Sequence, residues 1–385
     1  MAGQLFDLIV VGIGAVGSAI LWHAARRGLN VLGIDRFPPG HDRGSSHGRT
    51  RIIRQAYFEH PDYVPLLMRA YELWHELEQQ RGEQLFRQTG LLQVGPADGA
   101  VVRGVLESAE RHRLNVESLS SADCRSRFPG FNIPQDHRAA FEPKAGFLHV
   151  ERCVVAQCEE AQRLGAVIHA GEAVLDWQAT DEAVVVRTDR GKYSAARLAI
   201  TAGAWAGQLL ASLGIPLVVR RKPVYWFAPR DTTYDVDRGC PAYLFETPDG
   251  VFYGFPRIDE HGVKLAEHSG GETVLDPLHV DRAERAEDRA RLLRFAAVHL
   301  PCVTDRVLQH SVCLYTMSPD EHFIIDRHPA FKSVVFAAGL SGHGFKFAPV
   351  LGRALADLAI DGRTALPVEF LANSRWDASI YLTDG

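Results

Sequence analysis

Several things are scarce in this sequence, and each scarcity narrows what the chain can be. No apolar run reaches the roughly 20 residues that a membrane-spanning helix requires, so no spanning segment is expected. Basic charge is not in excess. Lys and Arg number 42 against 47 Asp and Glu, and the net charge of −5 argues against a nucleic-acid partner. The cysteines Cys124, Cys153, Cys158, Cys240, Cys302 and Cys313 form no CxxC pair and no metal-ligand spacing. Free, mostly buried thiols are therefore expected, and no metal site. No internal repeat, low-complexity tract or long linker interrupts the chain. An apolar strand pattern begins within the first ten residues, so no cleavable leader is expected, and the expected location is the cytoplasm.

What remains is the composition of an ordinary globular protein. At 385 residues, 46% hydrophobic and 23% charged, the chain can bury a large core and form two domains.

The most informative stretch is the first. Leu8 to Val11 is an apolar run that reads as a buried parallel strand, and it breaks into Gly12-x-Gly14-x-x-Gly17. A helical pattern follows to Arg27, stopped by Gly28, and a second apolar run from Val31 ends on Asp35. Gly12 permits the tight turn, Gly14 lets backbone approach a pyrophosphate, and Gly17 lets helix and strand pack closely. The phosphates then lie on the free N–H groups and positive dipole of the helix N-terminus. Asp35 stands where a ribose hydroxyl needs an acceptor. A dinucleotide is expected here, and this stretch leaves NAD and FAD equally open.

Further along comes the glycine-containing loop Gly44-Ser45-Ser46-His47-Gly48-Arg49-Thr50, followed by Arg51-Ile-Ile-Arg54. Taken as a helical turn, Arg51 and Arg54 share a face and need something anionic between them. Pro61 to Gln80 reads as a long amphipathic helix whose apolar stripe is core. Helices are expected over Val101 to Leu114 and Val150 to Leu164, and an antiparallel meander between Val174 and Tyr193. Ala196 to Trp205 resembles the end of a parallel strand near a cofactor. Arg220 to His268, rich in aromatics and turns, reads as an antiparallel sheet. Pro277 to Leu300 is charged and reads as a solvated helix. Alternation of α/β-like and antiparallel segments predicts an α/β plus α+β chain of two interleaved domains.

The C-terminal region carries a second constellation. The strand Ser333 to Ala338 leads into the loop Gly339-Leu-Ser-Gly342-His343-Gly344, and Phe345 to Ile360 is helical with Pro349 in its first turn. His343 and Lys346 then lie at the positive end of a helix, the wrong sign for its dipole, so a cofactor edge or substrate carboxylate is expected to compensate them.

These motifs together resemble the flavin-dependent amine oxidases that include monomeric sarcosine oxidase, N-methyltryptophan oxidase and pipecolate oxidase. The resemblance rests on the glycine fingerprint with Asp35, the run Ser45 to Arg54, and Tyr253-Gly-Phe-Pro with Lys264 and His268. It also rests on Cys313-x-Tyr315-Thr with Pro319-Asp-Glu-His-Phe-Ile-Ile-Asp326, and on Gly339 to Phe347. The motifs follow the family's order across essentially the whole chain. The resemblance implies a Rossmann-like FAD-binding domain of residues 1–84, 147–217 and 320–385, interleaved with an antiparallel-sheet substrate domain of residues 85–146 and 218–319.

The resemblance also implies FAD rather than NAD, bonded covalently from Cys313 to the flavin 8α-methyl. Gly12, Gly14, Gly17, Asp35, Ser46, His47, Thr50, Val174, Gly342, His343, Gly344 and Lys346 would hold the cofactor. Arg54 and Lys346 would bind the substrate carboxylate, a guanidinium bidentately and an ammonium as a point charge. Arg51 and Lys264 would lie close to the flavin ring, with Lys264 activating oxygen as a fixed cation. Tyr253, His268 and Tyr315 would shape the pocket around the amine. The implied reaction oxidises a secondary or N-methylated amino acid by hydride transfer to flavin, followed by imine hydrolysis and reduction of O₂ to H₂O₂. The alternative is a pipecolate-type dehydrogenase using another acceptor. Partners would be the amino acid and O₂, with a monomer expected. Arg49 departs from the acid associated with this position in the sarcosine and N-methyltryptophan oxidases, and would alter the charge near the cofactor.

Overall fold

The computed structural model describes residues 5–376, so the outermost expected bounds, at 1–4 and 377–385, lie outside the described residues. Two large sheets organise the chain. The first runs in the order Val174–Ala179, Val184–Thr188, Lys192–Ile200, Leu5–Val11, Val31–Asp35, Val167–Ala170, and Phe331–Ala338 with Ile324–His328 joins it through Lys192–Ile200. Leu5–Val11 pairs in parallel with both Lys192–Ile200 and Val31–Asp35. A central parallel strand is covered on both faces, which is why Leu8, Ile9 and Val10 form an unbroken apolar run and are fully buried. The helix Ala15–Arg26 packs against both Val150–Arg163 and Ala348–Asp361 on this sheet. Gly352 makes one crossing possible, because a Cβ there would stand 2.4 Å from that of Ala19.

The second sheet has the order Glu272–Thr273, Val218–Pro229, Val263–Glu267, Gly250–Phe255, Ala242–Thr247, Leu91–Pro96, His137–Glu142, Glu117–Ser120, with the long strand Val303–Met317 on Val218–Pro229. Its pairs are antiparallel except Ala242–Thr247 with Leu91–Pro96. The stretch Pro277 to Leu300 differs from its expectation. Its helix is confined to Ala286–His299, and opposite its charged, solvated face it has a buried one. Leu292, Phe295 and Ala296 cover the aromatic sheet, where the Phe295 ring stacks on Phe252 at 4.5 Å. Strand Glu117–Ser120 and helix Ser121–Arg127 were not expected, although the helix starts with a capping box from Ser120 and Asp123.

A small sheet of Thr50–Ile53, Gly146–His149 and Phe86–Gln88 lies beside the two large ones. It corrects the helical turn expected at Arg51 to Arg54. Thr50, Ile52 and Ile53 are β-branched, and Thr50–Ile53 pairs antiparallel with Gly146–His149. Arg54 follows the strand's end, so both guanidiniums still reach one cavity. None of the described helices is long and apolar enough to cross a membrane, and all six cysteines are free.

Candidate active site

The glycine turn opens a cleft of about 220 Å³. Gly12 has φ +84°, and a Cβ there would meet Thr201 O at 2.6 Å. A Cβ on Gly17 would come within 1.9 Å of Gly12 O, so the third glycine allows the helix to start against the turn. Asp35 ends its strand beneath the same turn. Its carboxylate accepts from Ile13 N–H at 2.7 Å and Phe37 N–H at 2.9 Å, while burial pushes its pKa upward. Ser46 Oγ accepts from Ala15 N–H at 3.2 Å, at the N-terminus of the helix.

Of the residues assigned to the cofactor from sequence, Gly12, Gly14, Asp35, Ser46, Val174, Gly342 and Gly344 line this cleft. Gly17, His47, Thr50 and Cys313 do not line it, and His343 and Lys346 line the neighbouring cavity instead. Arg36, His41, Ser45, Thr201, Gly203, Trp205 and Gly339 were missed as lining residues. The strand-to-glycine junction at Ala196 to Trp205 was the signal for three of them.

At the far end of the cleft the chain gathers a positively charged corner. Cys313, buried on strand Val303–Met317, receives the Arg51 Nη2–H at 3.3 Å and has His47 Nδ1 at 3.8 Å. Burial pushes this thiol up, but His47, Arg51 and Lys264 together bring it down to about 6. It is therefore mostly thiolate at neutral pH, the nucleophilic form.

Lys264 lies close by, buried on strand Val263–Glu267, and lines neither cavity. Its Nζ donates to Gly48 O at 2.6 Å, Thr50 O at 3.0 Å and Thr50 Oγ1 at 3.2 Å, over the Phe255 and Trp226 rings. Burial and then Arg51 push its pKa down. Against this, three oxygen acceptors match the three N–H bonds of an ammonium, and the two rings favour a cation.

A second cavity, of about 50 Å³, adjoins the cleft. Arg51, Tyr315, Gly342 and Phe345 line both and form the shared wall. Tyr253, His268, Arg54 and Lys346 also line the smaller cavity, so the structure brings together every residue assigned to the substrate carboxylate and amine, while Lys264, assigned to oxygen, lines neither cavity. His268 Nδ1 lies 3.4 Å from the Tyr315 hydroxyl, and burial drops its pKa to about 3, which keeps the imidazole uncharged. Burial likewise raises the Tyr253 and Tyr315 phenols, so both stay protonated.

The expected anion between the basic groups is partly internal. Glu59 accepts from Arg54 Nη2 at 2.6 and 2.7 Å, while Gln93 accepts from Nη1 at 3.0 Å. Tyr57 and Phe58 sandwich the same guanidinium at 4.4 Å each. Glu142, itself buried, fixes this turn by accepting from Gln55 N–H at 2.7 Å and Ala56 N–H at 3.1 Å. Glu59, Tyr57 and Gln93 were missed from sequence. The requirement for a negative charge beside Arg54 was a usable signal for Glu59, since the acid lies in the turn immediately after the arginine.

Lys346 finds no carboxylate contact among the described residues. Its Nζ donates to His343 O at 2.7 Å and lies 3.5 Å from Tyr57 Oη. Burial and then Arg54 lower it to about 7. The misplaced positive charge at this helix start is thus relieved partly by loss of the proton. His343 Nε2 faces Glu321 O at 3.0 Å and must donate there. Its Nδ1 then accepts from the Tyr57 hydroxyl at 2.5 Å, which leaves the phenol oxygen turned to Lys346 as an acceptor.

Comparison with known proteins follows the same outline. The family model described as FAD dependent oxidoreductase matches residues 7–358. The monomeric sarcosine oxidase of Bacillus sp. (strain NS-129) is 40% identical over 375 residues, covering 96% of this chain and 97% of that protein. The N-methyl-L-tryptophan oxidase of Yersinia pestis (strain Pestoides F) is 38% identical over 373 residues, covering 96% and 99%. The solved structure of NikD, an unusual amino acid oxidase essential for nikkomycin biosynthesis, superposes with a TM-score of 0.85 at 26% identity, covering 96% of this chain and 98% of that one.

Proposed function

Because this chain belongs to the FAD dependent oxidoreductase family, we propose that it oxidises a small secondary or N-methylated amino acid and passes the electrons to oxygen. The observation that carries this reading is the shared wall. Arg51 and Tyr315 face the dinucleotide cleft on one side and, on the other, a pocket furnished with Arg54 and Lys346. A redox cofactor and a carboxylate would therefore meet across two side chains.

The chain's residues suit FAD. Gly12 and Gly17 leave no room for a Cβ at the turn, the start of helix Ala15–Arg26 faces the cleft, and the buried His47 Nε2 has no partner. The Cys313 thiolate supplies a nucleophile for a covalent bond to the flavin. FAD contributes the two-electron acceptor and its reoxidation to hydrogen peroxide, while the protein orients, desolvates and places charge. Residues 1–84, 147–217 and 320–385 would form the FAD-binding domain, and 85–146 with 218–319 the substrate domain.

In the pocket, Arg54 and Lys346 would take the carboxylate. The uncharged His268, with the Tyr253 and Tyr315 hydroxyls, would receive the amine in its neutral form. The apolar side chains of Phe58, Leu244 and Phe345 close around this small pocket and favour a compact substrate over one carrying an indole. Lys264 supports an oxidase over a dehydrogenase, since a fixed cation stabilises superoxide as it forms. We place the enzyme in the cytoplasm as a monomer, where its free thiols would stay reduced.

The test is anaerobic bleaching of the bound flavin by sarcosine, N-methyl-L-tryptophan and pipecolate, followed by the yield of peroxide in air. Fast bleaching by sarcosine with one peroxide per substrate is expected. No bleaching by any secondary amine would defeat the reading, and bleaching without peroxide would transfer it to the dehydrogenase. Acid precipitation should leave the yellow colour in the pellet; a colourless pellet defeats the covalent bond.

A further inference from the structure

Arg49 interrupts the basic loop with a residue that the site as described leaves without a task. It has φ +71° and follows Gly48 at φ +90°. A non-glycine residue stays in that region only where its surroundings over-determine it. Here they do. Glu151, in the first turn of helix Val150–Arg163, accepts Gly48 N–H at 2.7 Å and Arg49 N–H at 3.0 and 3.1 Å. Arg49 C=O accepts from Val150 N–H at 3.0 Å.

The Arg49 side chain reaches the other way. Its guanidinium pairs with Asp259, and Nη1 lies 3.1 Å from His261 Nε2. His261 Nδ1 is 2.9 Å from Asp259 Oδ1 and donates to it, so Nε2 is free to accept from Arg49. Asp259 also accepts the His261 N–H at 3.0 Å. Asp259 and His261 belong to the turn that leads into Val263–Glu267, the strand that carries Lys264. The Gly48 and Arg49 amides are committed to Glu151, while the carbonyls of Gly48 and Thr50 accept from Lys264 Nζ at 2.6 and 3.0 Å.

We propose that Arg49 is a positioning residue: the Arg49–Asp259–His261 clasp locks the turn whose carbonyls hold the Lys264 amine beside Cys313 and Arg51. The clasp joins the acceptors and the donor of those hydrogen bonds across two parts of the chain far apart in sequence. Its catalytic consequence rests on the reading of Lys264 as the oxygen-activating group; its structural consequence does not.

Two variants of the holoenzyme test it. Arg49→Gly removes the guanidinium and is at ease with a positive φ, and Asp259→Asn leaves Arg49 in place without its charged partner. Rapid mixing separates anaerobic flavin reduction by substrate from reoxidation by oxygen. Amine acylation, read by mass spectrometry, compares Lys264 with Lys222 and Lys346 in the same sample. Both variants should reduce at the native rate and reoxidise about tenfold more slowly, the scale of losing an outer positioning partner. Lys264 should also acylate faster, with Lys222 and Lys346 unchanged. Native reoxidation together with native acylation of Lys264 overturns the proposal. If Lys264→Met itself reoxidises normally, the oxygen role falls, and acylation alone decides the clasp. Faster labelling in Arg49→Gly then upholds it and unchanged labelling overturns it.

Discussion

The two adjoining cavities are built from different materials. The dinucleotide cleft is made chiefly of backbone: glycines that leave room, amides at a helix start, and a strand-end carboxylate that accepts from the Ile13 and Phe37 amides. The smaller pocket is made of buried side chains whose charges are set by one another, Arg54 against Glu59 and Lys346 against His343 and Tyr57. A backbone site should fail when a single carbon is added and tolerate most other changes. A side-chain site should fail when a charge is removed and should respond to pH.

The largest expected effect breaks the first half of that comparison. Gly17→Ala drives a Cβ to 1.9 Å from Gly12 O, a clash that only a shift of backbone relieves. The purified variant should carry essentially no flavin at 450 nm, and a native flavin content would show that the turn is not the anchor. Gly14→Ala, whose Cβ would meet only Ser46 Oγ at 3.4 Å among protein atoms, should fold normally yet also lose flavin, because the added carbon stands where backbone must approach the pyrophosphate.

Next comes Arg54→Ala, which leaves the half-buried Glu59 without its cation and the pocket without its guanidinium. A loss of about 3 kcal/mol, roughly 100-fold in kcat/KM, is expected for removing the buried guanidinium that would pair with the substrate carboxylate. Arg54→Lys should not restore it, because an ammonium cannot satisfy Glu59 and Gln93 in one plane with a carboxylate. Restoration by lysine would mean that only the charge matters.

Lys346→Met should raise KM by about tenfold, the worth of one charge-assisted hydrogen bond. The same residue gives the pocket its pH dependence. Its lowered pKa of about 7 means that the cation is present below that value and is lost as pH rises through it. KM for a carboxylated amine should therefore climb above about pH 7 in the native enzyme and lie flatter in Lys346→Met. A KM–pH profile shared by both would remove Lys346 from carboxylate binding. The smallest effect is expected from Glu59→Gln. With its internal competitor neutralised, Arg54 should bind a simple carboxylate inhibitor several-fold more tightly, about 1 kcal/mol, as measured by perturbation of the flavin spectrum. Weaker binding would instead make Glu59 a support for the guanidinium.

The same contrast explains what was legible in the sequence. The cleft could be read because glycine spacing, an apolar run and a terminal Asp35 are local signals of a local structure. The two-sheet plan followed from alternation and turns. The pocket was half readable: the uncompensated charges of Arg51 with Arg54 and of His343 with Lys346 called for an anion, whereas their separate roles and that of Cys313 came with the family resemblance, since nothing local distinguishes Cys313 from any buried strand cysteine. Glu59 was passed over because the missing anion was sought in a ligand. Arg51 to Arg54 was taken as a helical turn because its pairing partner, Gly146–His149, lies almost a hundred residues away. Charge and pairing set by distant residues leave little trace in a short window.

The strand Thr50–Ile53 carries a further consequence. Glu151 holds the amides just before it and Glu142 those just after it. A segment latched at both ends by separate carboxylates can open at either end without releasing the other. Exchange of the amides at one end therefore need not follow exchange at the other. In amide exchange, the pair Gln55 and Ala56 should respond to substrate analogues, and the pair Gly48 and Arg49 to the state of the flavin.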